Sequence, residues 1–111
     1  MPRLTRGEIY RLSPPIGGDP KRSRCYAIVS RQTLIDSKAD KVICAPVNSS
    51  YDGLATQVPV GASEGLKAES CLNCDQLVLI EKARLTNYIG AVSSPKLAAV
   101  RKALRVALDV E

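Results

Sequence analysis

The stretch Lys41-Val42-Ile43-Cys44-Ala45-Pro46-Val47, residues 41–47, decides the fold class of this chain. It is apolar at almost every position, which is typical of a central β-strand covered on both faces. The stretch Cys25-Tyr26-Ala27-Ile28-Val29-Ser30 has the same character and predicts a second central strand. Residues 32–40 between them are polar and predict a connection that holds at most a helical turn. The pair predicts a sheet around which the rest of the chain is arranged.

Weaker strand patterns flank this pair. They predict strands over residues 7–12, 56–60, 70–80 and 88–92. Strand 56–60 should lie at an edge of the sheet, because Pro59 has no N–H to donate to a central ladder. Strand 70–80 is predicted as one long strand with a polar interruption at residues 73–76.

The C-terminal segment predicts the one convincing helix. Ser94 is placed as its N-cap and Pro95 at its first helical position. Apolar residues then recur at helical spacing, at Leu97, Val100, Leu104 and Leu108. Cations occupy the other face, at Lys96, Arg101, Lys102 and Arg105. The predicted fold is mainly β with α (α+β): one domain, residues 1–111, in which a small, curved antiparallel sheet or barrel carries a C-terminal α-helix packed on it.

The composition limits the chemistry that the chain can perform. Sixteen Lys and Arg against eleven Asp and Glu give a net charge of +5, which favours a polyanionic partner or serves only solubility. The 111 residues include no His, which excludes Ser-His and Cys-His nucleophile pairs and His-rich metal sites. The four aromatic residues are all Tyr, too few for a sheet that stacks bases on several aromatics.

The apolar runs and the cysteines indicate the compartment. No run approaches the ~20 apolar residues of a membrane span, and residues 1–7 lack the apolar core of a signal peptide. These features predict a cytoplasmic location without membrane contact, where the four Cys stay reduced. Cys71 and Cys74 have the spacing of a redox or zinc pair, but zinc would also need Cys25 and Cys44 from apolar strands. Structural packing of the thiols is the favoured interpretation, with no metal and no cofactor.

The loop Gly17-Gly18-Asp19-Pro20-Lys21-Arg22-Ser23-Arg24 joins a glycine-rich bend to a cluster of cations. Backbone amides in such a bend and guanidinium groups at its end can hold phosphate. A solvated basic loop is the plainer alternative.

Several motifs follow one another in a set order. The order is Arg6-Gly7-Glu8-Ile9-Tyr10, Leu12-Ser13-Pro14 leading into Gly17-Gly18-Asp19, Arg24 before an apolar strand, Val42 to Ser49, Cys74-Asp75-Gln76, and an amphipathic helix. In this order they resemble the MazF/PemK/Kid family of toxins from bacterial toxin–antitoxin pairs, over nearly the whole length. The resemblance implies an SH3-like β-barrel, a homodimer, and metal-independent, sequence-specific cleavage of single-stranded RNA that inhibits translation and growth. It also implies an acidic antitoxin that covers the active groove, and operator DNA bound together with that antitoxin.

The match to the family's motifs also implies site residues. Catalytic roles fall on Arg24, Asp75 and Ser49, with Asp19 as the alternative base to Asp75. RNA contacts fall on Asp19, Asn48 and Gln76, and the cation cluster of the glycine-rich loop adds Lys21 and Arg22. A structural ion pair is the alternative role for each of the two aspartates.

The chain also departs from the family's pattern. Cys25 and Asn48 stand where Pro and Thr are usual, and Gly18 and Asn73 stand where the Kid branch has His and Arg. Two other functions therefore stay open. One is a non-catalytic toxin that acts on DNA gyrase, like the CcdB relatives, and the other is a decayed family member that binds DNA or antitoxin.

Overall fold

The computed structural model describes residues 3–12 and 24–111. The strands are β1 (Glu8–Arg11), β2 (Cys25–Ile28), β3 (Lys41–Asn48), β4 (Gln57–Val60), β5 (Ser70–Asn73), β6 (Val78–Glu81) and β7 (Asn87–Ala91). The α-helices are α1 (Gln32–Ile35) and α2 (Ser94–Leu108), and two 3₁₀ turns span Ala62–Glu64 and Lys82–Arg84. None of the described helices is both long and apolar enough to span a bilayer.

The strands form one antiparallel sheet in the order β4-β5-β3-β2-β1-β7, and β6 also pairs with β3. Strand β3 is long enough to serve two partners in succession: its first half pairs with β6, and its end pairs with β5. The sheet therefore curls where β3 passes from one partner to the other. The predicted curved antiparallel sheet with a C-terminal helix is confirmed, and β4 with Pro59 lies at an end of the strand order as predicted.

Two apolar cores lie on the two faces of the curled sheet. Helix α2 closes the first, where its Val100 and Ala103 pack against Ile9, Ala45 and Leu72. The second core lies under α1 and is built around Ile28, Val42 and Ile80. Because β2 and β3 contribute to both cores, most of their side chains are buried, as their apolar runs predict. Ile43 is an exception at 39% exposed.

Three details of the predicted elements are wrong. The stretch 70–80 is not one strand, because the chain turns at residues 74–76 and β5 and β6 pair with different parts of β3. The N-cap of α2 is Ser93 and not Ser94, since the Ser93 hydroxyl accepts a hydrogen bond from the Lys96 N–H at 3.4 Å. Leu108 is 57% exposed, because α2 ends there and extends beyond the sheet.

A close approach of two backbones fixes the turn Ala62–Glu64 against β7. A Cβ added at Gly65 would lie 2.3 Å from the Ile89 carbonyl oxygen, and one added at Gly90 would lie 2.1 Å from the Glu64 carbonyl oxygen. The buried carboxylate of Glu64 accepts a hydrogen bond from the Gly61 N–H at 2.7 Å and lies 3.6 Å from the Lys96 ammonium. This turn, β7 and the start of α2 are thereby held together.

Candidate functional site

A polar groove lies where β3 ends and the chain turns toward β4. Its volume is about 530 Å³, and the described residues that line it supply one cation, one carboxylate and several amides and hydroxyls. The lining residues are Arg24, Val47, Asn48, Ser49, Ser50, Asp52, Gln57, Asn73 and Gln76. The groove thus brings together four residues predicted from the sequence, Arg24, Asn48, Ser49 and Gln76.

Within residues 3–12 and 24–111, Arg24 is the only cation that lines this groove. It precedes β2, and its backbone carbonyl accepts a hydrogen bond from the Leu12 N–H at 3.3 Å. The exposed side chain therefore extends from a backbone held by the sheet. A guanidinium in this position can offer a planar pair of N–H donors to two oxygens of one phosphate.

The end of β3 supplies the amide and hydroxyl groups. Asn48 is held in register by its pairing with Cys71 of β5. Its side-chain amide donates a hydrogen bond to the Gln76 Oε1 at 3.0 Å, which links β3 to the turn after β5. Ser49 follows directly, is exposed, and lines the groove. Amide and hydroxyl groups of this kind bind phosphate oxygens or base edges.

Gln57 organises the far wall of the groove and was not singled out in the sequence. It is only 8% exposed, and its Oε1 accepts hydrogen bonds from the N–H groups of Asp52 (2.9 Å) and Leu54 (3.3 Å). Its Nε2 donates to the Asp52 carboxylate at 3.4 Å. The sequence shows turn chemistry at residues 48–53, but the partner that orients the turn lies on β4 and is visible only after folding. Ser50 is a further lining residue that the motifs did not indicate, and Asn73, at the position where the Kid branch has Arg, also lines the groove.

Asp75, predicted as the base, does not line the groove. It is exposed in the turn between β5 and β6, where its Oδ2 accepts a hydrogen bond from the Thr56 hydroxyl at 2.6 Å. Its N–H donates to the Asn73 Oδ1 at 2.9 Å. Of the carboxylates that the structure describes, the one that lines the groove is that of Asp52. The other predicted contacts, Asp19, Lys21 and Arg22, lie outside the described residues.

The four cysteines are free, and three of them are buried. Burial raises the pKa of the Cys44 thiol to about 12 and, together with the charge of Asp75, that of Cys74 to about 11. The Cys71 thiol donates to the Ser50 carbonyl at 3.1 Å, so it supports the groove wall. Thiols with raised pKa values are poor nucleophiles and poor metal ligands at neutral pH. Over residues 3–12 and 24–111, no three His, Cys, Asp or Glu side chains are grouped to hold a metal ion.

A curled antiparallel sheet capped by a C-terminal helix, with a polar groove at the end of its central strand, is the fold of the MazF-type toxins. The structure of a toxin named MazF-mt6 from Mycobacterium tuberculosis matches with a TM-score of 0.79 and 27% identity, over 94% of this chain and 98% of that chain. An endoribonuclease from mycobacterial species, solved with its cognate antitoxin, shares the fold with a TM-score of 0.77 at 22% identity, over 100% of this chain and 98% of that chain.

Sequence comparison gives the same family. The chain is 30% identical over 90 residues to the endoribonuclease MazF3 of M. tuberculosis, over 81% of this chain and 86% of that protein. A family model described as PemK-like, MazF-like toxin of type II toxin–antitoxin system matches residues 5–108. The chain belongs to this toxin family.

Proposed function

We propose that the protein is the toxin of a type II toxin–antitoxin system and that it cuts single-stranded RNA sequence-specifically. The observation that carries this proposal is the groove, where Arg24 is gathered with Asn48, Ser49 and Gln76. A basic chain with a polar groove suits a polyanionic strand. The named endoribonuclease MazF3 supports catalysis over the gyrase-binding and decayed alternatives.

The reaction that this groove suits is an internal transesterification. The 2′ oxygen of the ribose attacks the adjacent phosphorus, so that a P–O2′ bond forms and the P–O5′ bond breaks. The proton of the 2′-OH passes to a base, and the departing 5′ oxygen takes up a proton. The Arg24 guanidinium would stabilise the charge that accumulates on the phosphate oxygens, and it is also the candidate acid. Ser49 and Asn48 would hold the phosphate in place.

Two carboxylates are candidates for the base. Asp75 is the one indicated by the family resemblance, but its Oδ2 is engaged by Thr56 and it lies beside the groove. Asp52 lines the groove, and Gln57 orients it. A base must lie within hydrogen-bond reach of the proton that it removes, which favours Asp52. Asp19 lies outside the described residues and stays the third candidate.

The decisive experiment is incubation of the purified protein with a long RNA, followed by primer extension to map the cuts. We expect cuts at a short recurring sequence, and the same cuts in the presence of EDTA, because the chain has no His and the family resemblance implies metal-independent cleavage. Asp52→Asn and Asp75→Asn form a matched pair, and the variant that loses cleavage identifies the base. Intact RNA with the parent protein, or cuts abolished by EDTA, would contradict the proposed activity.

We also propose a cytoplasmic homodimer that is held inactive by an acidic antitoxin and binds operator DNA with it. The net charge of +5 would attract an acidic partner, and the mycobacterial endoribonuclease solved with its antitoxin supports the pairing. Sedimentation should show twice the mass of the 11.9 kDa chain at micromolar concentration. A monomer under these conditions would argue against the dimer.

A further inference from the structure

A second cationic surface lies away from the groove, where β1 begins and α2 passes over it. It consists of Arg6, Arg101, Lys102 and Arg105, called here the helix patch. Arg6 is partly buried, and the other three side chains are exposed on α2. Arg6 precedes the first residue of β1, whereas Arg11, its last residue, pairs with Cys25, the neighbour of Arg24. The helix patch and the groove are therefore at opposite ends of β1.

Arg6 and Arg101 of the helix patch are near enough for their charges to interact, and no described carboxylate forms an ion pair with either of them. Burial, and then the positive charge of Arg101, lower the pKa of the Arg6 guanidinium. Among the described residues, neither Arg6 nor Arg101 has an ion-pair partner. The Arg6 Nε is buried, and none of the described residues accepts a hydrogen bond from it. Two like charges and an unsatisfied donor both disfavour the folded state unless an anion binds there.

Two described carboxylates near Arg6 are already engaged: Glu8, two residues along the chain, and Asp36, which is joined to the Arg6 N–H through Gln32. Glu8 accepts hydrogen bonds from the Thr5 N–H and the Tyr10 hydroxyl, at 2.6 and 3.2 Å. Asp36 forms a two-point interaction with the guanidinium of Arg3, at 2.7 and 3.1 Å. Neither carboxylate is therefore available to neutralise the helix patch.

The composition of α2 points the same way. The helix Ser94–Leu108 contains four cations and no acidic residue, so no ion pair forms within it, and no ion pair joins Arg105 to Asp109 at the C-cap. Lys96 is engaged by Glu64, whereas Arg101 and Arg105 lie one turn apart on one exposed side. An uncompensated row of arginines fits the evenly charged backbone of a nucleic acid better than the irregular charges of a protein surface.

We propose that the helix patch binds the phosphodiester backbone of an RNA strand outside the groove, as a second, sequence-independent contact. This inference rests on the proposed function, because it takes RNA as the polyanion. RNA strands long enough to reach both the groove and the helix patch bind more tightly than short ones. The helix patch contributes affinity and salt dependence, and the groove performs the chemistry.

The test uses RNA that carries 2′-O-methyl groups and so cannot be cut through the 2′ oxygen. Fluorescence anisotropy compares a long, unstructured strand with a trinucleotide over a series of KCl concentrations. We expect Arg101→Gln to weaken binding of the long strand roughly 3- to 5-fold and to reduce the salt slope by about 0.7 per lost phosphate contact. Trinucleotide binding should not change. Lys67→Gln is the control, because it removes an exposed cation from a loop that does not belong to the helix patch.

Arg101→Glu separates binding from folding. A carboxylate at this position can pair with Arg6 and with Arg105, so the melting temperature should stay at or rise above that of the parent. Binding of the long strand should nevertheless fall further than with Arg101→Gln. A merely structural role for Arg101 would lower both quantities together.

The remaining outcomes each decide the question. Equal binding by Arg101→Gln, Arg101→Glu and the parent, or the same loss with Lys67→Gln, overturns the helix patch as an RNA contact. A loss of binding that is seen only with duplex DNA or only with an acidic polypeptide also overturns it. The same holds if the parent protein does not bind the long strand. If the parent binds the long strand through Arg101 but cuts no unmodified RNA, the helix patch stands and the proposed activity fails. If RNA is cut but Arg101 has no influence on binding, the activity stands alone.

Discussion

Arg24→Lys is expected to keep the positive charge and most of the RNA binding but to lose about 10²–10³ of the cleavage rate. The guanidinium offers two parallel donors to two phosphate oxygens, and an ammonium cannot reproduce that geometry. The Arg24 backbone is held by the hydrogen bond from Leu12, so it cannot shift to bring the shorter lysine side chain to the phosphate. Single-turnover cleavage of a mapped RNA site, beside anisotropy with uncleavable RNA, measures the two effects separately.

Arg11→Lys is the matched control for this substitution. Arg11 is also exposed, and it pairs with Cys25, directly beside Arg24, but it does not line the groove. We expect it to cut at nearly the parent rate. If Arg24→Lys cuts as fast as the parent while Arg11→Lys is inactive, the stabilising cation has been placed on the wrong residue.

Gly65→Ala is expected to remove at least about 3 kcal/mol from the free energy of unfolding. The residue has a φ of +87°, and its added Cβ would lie 2.3 Å from the Ile89 carbonyl oxygen. That oxygen belongs to the backbone of β7 and cannot move aside as the end of a flexible side chain can. The turn at Ala62–Glu64 would have to leave β7, and the contact between Glu64 and Lys96 would be disturbed with it. Urea denaturation of the purified variants measures the loss.

Gly53→Ala separates the two contributions. Gly53 also has a positive φ, +76°, but a Cβ there would meet nothing within 4 Å. Only the backbone strain remains, which costs about 1–2 kcal/mol. If the two alanine variants were equally destabilised, the close approach to Ile89 would contribute nothing to stability.

Local patterns in the sequence identify most of the elements. The apolar runs at 25–30 and 41–47 became β2 and β3 because strands covered on both faces need apolar side chains on both. The pattern failed at 70–80, where two short strands joined by a tight turn have the same apolar residues as one long strand. It also failed by one residue at the start of α2, because adjacent serines can both cap a helix and only the backbone path selects Ser93.

The groove was only partly predictable, for a related reason. The match to the family's motifs indicates Arg24, Asn48, Ser49 and Gln76, and all four line the groove. They do not indicate Gln57, whose position in the sequence is ordinary and whose three hydrogen bonds to the 52–54 turn depend on β4 lying beside β5. Asp75 follows the family pattern, but the hydroxyl of Thr56, which engages it, comes from across the sheet.

The sequence by itself determines the class of fold, the toxin family, the excess of positive charge and the absence of His chemistry. These properties depend on composition and on residues close together in the chain, so they can be determined without knowledge of the fold. The tertiary structure alone decides which described carboxylate reaches the groove, which arginines come near each other with no ion-pair partner among the described residues, and where two backbones touch. Each of these depends on the distance between residues far apart in sequence, as with Arg6 and Arg101 or Gly65 and Ile89. Hydrogen bonds and charge interactions act over a few ångströms, and only the folded chain sets those distances.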